Sequence, residues 1–271
     1  MAEYSVLMAV YKNEVPENFR TAILSMVNQE VQPSEMVIVC DGPLTEGLDA
    51  VLAEFEKSEK PVFNIIRLPE NKGLANALNI GLQNCKYEYV LRMDSDDIAL
   101  SERSKYELEA LDEGFDIVGG YISEFDDGNE DKIIATRKVP LEQKDIYEFI
   151  KKRSPFNHPS VAYRKSFILS CGNYDPKLRK TEDWDLWVRC ILNNAKVRNF
   201  DKVFVKMRSG KAMRKRRGGK DYIECQTYVL KEIRDLNWIT DRQCRRLCRM
   251  YRHYATMPAW IKNILTKLFL R

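Results

Sequence analysis

The sequence predicts an α/β protein built on a mostly parallel central sheet that is flanked by helices. Two observations carry this prediction. In the first hundred residues, short apolar segments alternate with segments whose apolar residues recur at helical spacing. Strands and helices that alternate in this way form parallel sheets through right-handed crossovers. With 271 residues, of which 44% are hydrophobic, the chain is long enough to bury a large core.

The predicted elements follow in order along the chain. Four strands are predicted over residues 5–10, 36–40, 62–68 and 87–93, with helices between them over 19–27, 48–55 and 71–82. Asn71 is predicted to cap the last of these helices, because asparagine often accepts hydrogen bonds from the free N–H groups of a first turn. Beyond residue 100, strands are predicted over 115–121 and 203–207, helices over 146–152 and 183–193, and a turn over 126–129.

Polar residues come just after three of the predicted strands. Asp41 and Asn71 follow the second and third strands, and the run Asp94-Ser95-Asp96-Asp97 follows the fourth. Ligands of such sheets bind in the crevice at the carboxyl ends of the strands. We therefore expect these residues to converge on one edge of the sheet.

Asp94, Asp96 and Asp97, here called the acidic cluster, indicate a site for a divalent cation. Three carboxylates this close repel one another, and burial would add to the cost. Mn²⁺ or Mg²⁺ prefers oxygen ligands and is commonly held by one or two carboxylates together with substrate phosphates. A solvated acidic loop is the alternative, and the position after an apolar strand favours the metal.

Glu182 and Asp183, here called the carboxylate pair, come at the start of a predicted helix beside Trp184 and Trp187. A carboxylate held partly dry by aromatic rings suits a general base. Spacing alone favours a plainer alternative, a carboxylate stabilised by the helix dipole. His158 is one of two histidines. A lone histidine is more often a hydrogen-bonded structural residue than a ligand, so a structural role is expected for His158.

Positive charge is concentrated at the end of the chain. Residues 206–271 contain 18 Lys or Arg and 5 Asp or Glu, a net charge of +13, which leaves −9 on residues 1–205. This asymmetry indicates an anionic partner, either a membrane or a nucleic acid. The segment 214–219 combines arginines with glycines, which suits phosphate binding and a solvated loop equally well.

The last sixteen residues predict an amphipathic helix. Its apolar face comprises Met257, Trp260, Ile261, Ile264, Leu265 and Leu268. We favour a membrane surface over the alternatives, the protein's own core or a second subunit, because arginines precede the helix. No apolar run is long enough to span a bilayer, and seven scattered cysteines indicate neither a disulfide framework nor a zinc site. A cytoplasmic protein, peripheral on the inner face of a plasma membrane, is expected.

In their order along the chain, these motifs resemble the inverting family 2 glycosyltransferases, which have the GT-A fold and include bacterial enzymes of surface-polysaccharide assembly. The resemblance covers roughly residues 4–220. It rests on residues 5–13, on the run from Ile38 to Gly42, on residues 70–81, on the acidic cluster, and on residues 181–187. Cys40 stands where the family has a first aspartate, which leaves Asp41 as the single counterpart.

The resemblance implies a role for each motif. Asp183 is implied to be the catalytic base, which reverses the preference from spacing alone, and Asp94, Asp96 and Asp97 are implied to hold the cation. The implied acceptor-side residues are His158, Glu182 and Trp184. The implied donor-binding residues are Ala9, Tyr11, Asn13, Asp41, Asn71, Lys72, Gly73, Arg92, Asp94, Ser95, Arg216 and Arg217.

The implied reaction moves a sugar from a nucleotide diphosphate, by the resemblance UDP, to an acceptor hydroxyl with inversion and with Mn²⁺ or Mg²⁺. The expected acceptor is a carbohydrate or a lipid-linked oligosaccharide, and the tail is expected to meet an anionic membrane and no nucleic acid. Three segments are expected: a nucleotide-sugar-binding half over 1–97, an acceptor-binding and catalytic-base half over 98–205, and a basic, helical C-terminal extension over 206–271.

Three other classes of protein are weighed against this one. A sugar-nucleotide nucleotidyltransferase would share the sheet and the metal site, but it needs a glycine-rich loop after the first strand, and residues 9–14 contain no glycine. A dinucleotide-binding oxidoreductase fails for the same reason. A non-enzymatic nucleic-acid-binding protein would explain the basic tail by salt-sensitive binding, but it leaves the acidic cluster and Asp183 without a role.

Overall fold

The computed structural model describes residues 2–126, 129–209 and 220–257 of the chain. Within them, nine strands form a single sheet, with the strand order β3-β2-β1-β4-β8-β6-β9-β5 and with β7 paired to β6. The strands are β1 (Tyr4–Val10), β2 (Glu35–Cys40), β3 (Val62–Arg67), β4 (Tyr89–Asp94), β5 (Ile98–Ala99), β6 (Ile117–Asp126), β7 (Asn129–Arg137), β8 (Val161–Arg164) and β9 (Val197–Arg208).

Helices cover both faces of this sheet in the described residues. They are α1 (Pro16–Val27), α2 (Glu46–Phe55), α3 (Leu74–Asn84), α4 (Arg103–Asp112), α5 (Gln143–Phe149), α6 (Lys165–Ser170), α7 (Glu182–Leu192), α8 (Lys220–Asp235) and α9 (Asp241–Thr256). A short 3-10 helix, His158–Ser160, leads into β8. The predicted α/β fold class is confirmed.

The sheet has a parallel half and a mixed half. β1 pairs in parallel with β2 and β4, and β2 with β3. Beyond β4, β8 runs antiparallel between β4 and β6, whereas β9 is parallel to β6. The four strands predicted before residue 97 therefore form the parallel half.

Alternation along β1 explains how both faces of the sheet become buried. Val6 and Met8 pack into the core that also contains α1 and α2, while Leu7 packs into the opposite core with α3 and α7. Successive side chains of a strand point to opposite faces, so a fully apolar strand serves two cores at once.

The predicted cap of α3 is wrong. The helix begins at Leu74, and its N-cap is Gly73, which has a φ of 94° and no side-chain cap. Asn71 lies outside the helix, and its Nδ2 donates to the backbone oxygen of Asp41, 3.0 Å away. Glycine takes this left-handed conformation without the steric cost that other residues pay, so the chain turns at residue 73.

The described part of the C-terminal segment packs on the rest of the protein. Val229, Leu230 and Ile233 of α8 are buried in the same core as Trp184 and Trp187 of α7. Within the segment, α9 begins with a capping box in which Thr240 and Gln243 bond reciprocally. Among the described helices, none combines the length and the hydropathy needed to cross a bilayer.

Several sequence predictions fall outside the described residues. These are the amphipathic stripe after Met257, the centre of the turn over 126–129, and the segment 214–219 with Arg216 and Arg217. β9 continues to Arg208, so it runs across the boundary predicted at residue 206.

Candidate active site

The carboxyl ends of β1, β2 and β4 lie side by side and bring the predicted donor residues together. In the sheet register, Ala9 lies opposite Val39 on one side and Asp94 on the other. Asp41 follows directly after the end of β2. The convergence expected for Asp41, Asn71 and Asp94 on one edge of the sheet is therefore observed, with Asn71 bonded to Asp41 and Ala9 beside Asp94.

Asp41 ties the loop after β2 to the turn before α3. Its Oδ1 accepts from the backbone N of Lys72 at 2.8 Å, and its Oδ2 accepts from the backbone N of Gly73 at 3.0 Å. The neighbouring Gly42 has a φ of 88°, and a Cβ there would lie 2.8 Å from the N of Asn71. The carboxylate thus joins the loop after β2 to the turn before α3, while its contact with a nucleobase stays a prediction.

The turn after β1 reaches the acidic cluster through Glu14. The backbone N of Glu14 donates to the carbonyl of Tyr11, and the Oε2 of Glu14 accepts from the hydroxyl of Ser95, 3.0 Å away. Tyr11 is half-buried and Asn13 is exposed in this turn. Glu14 lies one residue beyond the motif at residues 5–13, and sequence reasoning gave it no role, because its partner comes eighty-one residues later.

The acidic cluster is compact and suits a hard divalent cation. Asp94, Asp96 and Asp97 each offer a carboxylate oxygen, and these oxygens lie within 4.8 Å of one another. Asp97 is only 1% exposed. Burial, together with the charges of Asp96 and Asp94, raises the pKa of Asp97 well above its usual value. Its Oδ2 is buried and has no hydrogen-bond partner among the described residues, so the donor set fits the predicted metal.

Arg208, at the end of β9, donates two hydrogen bonds to the acidic cluster. Its backbone N donates to the Oδ1 of Asp97 at 2.9 Å, and its Nε donates to the carbonyl oxygen of Asp96 at 3.1 Å. The strand predicted over 203–207 ends one residue before Arg208. The contact spans 111 residues of sequence, so only the fold reveals it.

Arg92 is a buried cation between the two groups of carboxylates. Its side chain sits on β4, is 1% exposed, and pairs with Asp94 at 2.5 Å. Its charge also lowers the pKa of both members of the carboxylate pair, against the larger opposing effect of their burial. Its Nε and Nη1 are buried without a hydrogen-bond partner among the described residues. Arg92 therefore links the two halves of the site electrostatically.

The carboxylate pair opens α7, as the sequence predicted, and its two members differ in their environment. Asp183 is half-buried, and its Oδ2 accepts from the Ser154 hydroxyl at 3.0 Å. Burial raises the pKa of Asp183, and the bonds from Ser154 and the Trp184 N–H oppose that rise. Glu182 is 7% exposed, and its Oε2 has no hydrogen-bond partner among the described residues.

Burial and the charge of Asp183 raise the pKa of Glu182 to about 7. Two neighbouring carboxyl groups ionise one after the other, and the group with more donors ionises first. Asp183 receives the side-chain hydrogen bond from Ser154, so Asp183 is the member of the pair that ionises first.

His158 lies beside the carboxylate pair in an aromatic cluster. Its Nε2 is 3.0 Å from the hydroxyl of Tyr174, and its ring packs edge-on against Trp187. Burial, aided by the charge of Arg92, lowers the pKa of His158 well below its usual value, so the ring is neutral. The hydrogen bond agrees with the structural role that spacing alone favours, and the acceptor-side role stays a prediction.

The structure corrects one detail of the predicted acceptor side. Trp184 is 1% exposed, and its Nε1 donates to the carbonyl oxygen of Ile150 at 2.8 Å. This ring is part of the core beneath the site and presents no face to an acceptor. His158 and Glu182 are the remaining candidates on that side.

The fold and the site together define a class of protein, the GT-A glycosyltransferases. A family model described as glycosyl transferase family 2 matches residues 5–172. The chain belongs to this family, as the sequence motifs predicted.

Several curated relatives are similar over most of their length. An uncharacterized glycosyltransferase of Haemophilus influenzae is 37% identical over 84% of each chain. The amylovoran biosynthesis glycosyltransferase AmsE of Erwinia amylovora is 36% identical over 84% of this chain and 85% of its own. The UDP-Gal:alpha-D-GlcNAc-diphosphoundecaprenol beta-1,3-galactosyltransferase of Escherichia coli is 34% identical over 99% of this chain and 91% of its own.

Solved structures show the same fold at lower sequence identity. The crystal structure of S. aureus TarS 1–349 in complex with UDP matches 99% of this chain and 75% of that chain, with a TM-score of 0.65 and 19% identity. The UDP-GlcNAc complex of the same protein matches with a TM-score of 0.63.

Proposed function

We propose that the protein transfers a sugar from a UDP-sugar to an acceptor hydroxyl in a single displacement that inverts the anomeric carbon. The observation that supports this most strongly is the placement of Arg92 between the acidic cluster and the carboxylate pair. One group of carboxylates suits a diphosphate-bound cation, and the other suits a base for the acceptor. A sugar between them would meet both.

Asp183 is the proposed base. It takes the proton from the acceptor hydroxyl through its Oδ1, because its Oδ2 already accepts from Ser154. The oxygen that loses the proton attacks the anomeric carbon as the bond to the diphosphate breaks. A well-placed base of this kind contributes roughly 10² to 10⁴ in rate.

Asp94, Asp96 and Asp97 are the proposed ligands of Mn²⁺ or Mg²⁺. When bound, such a cation supplies positive charge where negative charge collects on the departing diphosphate. The chain's own contribution is to hold these oxygens within 4.8 Å of one another and to fix Asp97 through the N–H of Arg208. Ala9, Tyr11, Asn13, Asp41 and the turn at residues 71–73 are proposed to bind the nucleotide.

The relatives support the choice of substrates. One relative is named as a transferase of galactose from UDP-Gal to a sugar on diphosphoundecaprenol, and another acts in amylovoran biosynthesis. TarS has been solved with UDP and with UDP-GlcNAc. We propose a UDP-hexose donor, a lipid-diphosphate-linked acceptor in polysaccharide or glycolipid biosynthesis, and a peripheral location on the cytoplasmic face of the membrane.

The donor half of the proposal is tested by thermal unfolding with a panel of nucleotide diphosphates and sugar nucleotides. A ligand that binds the folded state raises its stability according to its affinity. UDP and one UDP-sugar should raise the melting temperature with Mn²⁺, and EDTA should abolish the shift. An equal shift from every nucleotide diphosphate contradicts the choice of UDP.

The acceptor half is tested by transfer to a short lipid-diphosphate sugar. The product should carry the opposite anomeric configuration to the donor, as read by the coupling constant of the anomeric proton. A retained configuration contradicts a single displacement by an acceptor that Asp183 activates.

A further inference from the structure

The hairpin of α8 and α9 encloses a groove that nothing in the proposed reaction uses. The groove has a volume of about 280 Å³. Its lining, here called the basic groove, consists of Lys231, Arg234, Cys244, Arg245, Cys248, Arg249 and Arg252. Five of these seven residues are cations, and the two buried thiols form the floor.

The cations of the basic groove are arranged in a row. Arg245, Arg249 and Arg252 recur at i, i+4 and i+7, so they share one face of α9 and span about 10 Å along it. Lys231 and Arg234 face them from α8. A row of this length can contact more than one phosphate group.

Most of this charge is not neutralised by the part of the chain that the structure describes. Arg234 pairs with Asp235 at 2.6 Å and with Asp241 at 3.7 Å. The other four cations form no ion pair with any described residue, and α9 contains one acidic residue, Asp241, against five arginines. Guanidinium groups bind phosphate through paired N–H donors, so the row favours phosphate over other anions.

We propose that the basic groove binds the phosphate headgroups of an anionic bilayer and thereby seats the enzyme on the membrane. This inference rests on the membrane location proposed above and names the surface responsible. Met250, on the same helix, is 51% exposed beside the arginines. The sequence beyond residue 257 continues with Trp260, Ile261 and Ile264 among lysines. A bilayer interface offers phosphates and apolar depth together, whereas a nucleic acid or a free phosphate offers only the charge.

The test compares two variants of the full chain with the same change in net charge. The groove variant carries Arg245→Gln, Arg249→Gln and Arg252→Gln together, which removes the positive charges of the row on α9. All three positions are exposed. The control carries Lys57→Gln, Lys105→Gln and Lys144→Gln, which are also exposed and lie elsewhere on the surface. Thermal unfolding checks that both variants fold, and transfer to a water-soluble acceptor should be unchanged in both.

Partition onto vesicles of phosphatidylcholine with phosphatidylglycerol is the readout. The groove variant should bind on the order of 100-fold more weakly than the unmodified protein, and the control should bind nearly as well. Equal losses in both variants, or no loss in either, overturn the proposal. So does complete displacement from vesicles by millimolar pyrophosphate, which would assign the groove to a soluble or acceptor diphosphate. Tighter binding to duplex DNA than to vesicles also overturns it.

A second, independent observation concerns the partners of Asp183. Ser154 lies between α5 and the 3-10 helix, and its Oγ is 3.0 Å from the Oδ2 of Asp183 and 3.2 Å from the carbonyl oxygen of Phe156. A hydroxyl has one proton to give, and an ionised carboxylate is the stronger acceptor. Two residues earlier, the carbonyl of Lys152 accepts from the Tyr251 hydroxyl at 2.7 Å, so α9 holds this loop in place.

We infer that Ser154 is a positioning residue for the reaction. It turns the Oδ2 of Asp183 away from the acceptor and leaves Oδ1 free to take the proton, which rests on the proposed role of Asp183 as base. Burial raises the pKa of Asp183, and the bond from Ser154 is the largest of the effects that oppose this rise. Loss of the hydroxyl therefore frees the carboxylate to rotate and to hold a proton at higher pH.

The test is the pH profile of kcat for Ser154→Ala. Because the base works only when ionised, the acidic limb should move to higher pH, and kcat at neutral pH should fall by about 10-fold, the typical effect of one hydrogen bond to a charged group. KM for the donor should stay constant. Ser154→Thr keeps the hydroxyl and should restore both the limb and kcat.

Ser170→Ala is the matched control, since Ser170 is exposed and donates only to a local carbonyl. An unmoved acidic limb in Ser154→Ala overturns the inference, and so does a loss that Ser154→Thr fails to recover. Asp183→Asn is measured alongside to test the base assignment separately. If Asp183→Asn stays active, Asp183 is not the base, whatever the result for Ser154→Ala.

Discussion

The two groups of carboxylates in this site are held in different ways. In the acidic cluster, the oxygens of Asp94, Asp96 and Asp97 face one another, and one buried oxygen has no partner among the described residues. In the carboxylate pair, Asp183 receives hydrogen bonds from Ser154 and from the helix N-terminus. The first arrangement is one that a bound cation would stabilise, and in the second the hydrogen bonds oppose the rise that burial gives to the pKa of Asp183.

This contrast shows that the surroundings of the carboxylates, and not their residue type, distinguish the two groups. A divalent cation stabilises a cluster of like charges when it binds, so the affinity of the acidic cluster for its ligand should depend on metal. A carboxylate with protein donors needs no metal and can exchange a proton with its surroundings. Arg92 stands between the groups and balances the charge of both.

The largest expected effect follows loss of the base. Asp183→Asn keeps the shape of the side chain but removes its ability to take a proton, so turnover should fall by roughly 10² to 10⁴. Glu182→Gln, one residue away, is the matched control and should lose much less. Steady-state transfer assays with saturating Mn²⁺ measure both. If Glu182→Gln shows the larger loss, the roles within the pair are reversed.

An effect of intermediate size concerns the way in which the free energy of unfolding depends on pH. Burial raises the pKa of Glu182 from an ordinary 4.5 to about 7, so the folded protein binds this proton more tightly than the unfolded chain does. The free energy of unfolding should therefore decline as pH rises from about 4.5 to 7, with a contribution on the order of 3 kcal/mol. Glu182→Gln should decline less between pH 5 and pH 8 in urea titrations. Parallel curves for the two proteins contradict the raised pKa.

The smallest expected effect concerns the hydrogen bond that joins α9 of the C-terminal hairpin to the loop that contains Lys152. Tyr251→Phe removes the hydrogen bond to the carbonyl of Lys152 while keeping the ring. The free energy of unfolding should fall by about 1 kcal/mol, and UDP affinity should not change. A loss of UDP affinity would place the hairpin in the donor site instead.

The parallel half of the fold was predictable because its strands are mostly apolar. β1, β2 and β4 are buried on both faces, so the sequence shows them as short hydrophobic runs. α4 was not predicted, because its first turns bury Arg103, Ser104 and Glu107, and apolar residues are buried only near its end. α6 has six residues and is too short to show a helical period.

The site was predictable where its residues are neighbours in sequence, and not where they meet through the fold. The acidic cluster and the carboxylate pair lie at the strand end and helix start that the pattern indicated. Ser154 and Arg208 contact those groups across 29 and 111 residues, which no local pattern encodes. The resemblance implied an acceptor-side role for Trp184, but the fold buries the side chain of Trp184 in the core.

The most direct test of the division between the two groups is calorimetric titration of UDP. The unmodified protein, Asp183→Asn and Asp96→Asn are each titrated with Mn²⁺ and again with EDTA. The first two should bind UDP with similar affinity in Mn²⁺. Asp96→Asn in Mn²⁺, and all three proteins in EDTA, should bind at least roughly 10- to 100-fold more weakly, as is typical when a metal site is disturbed. Equal UDP affinity with and without metal, or a loss in Asp183→Asn as large as in Asp96→Asn, contradicts the account.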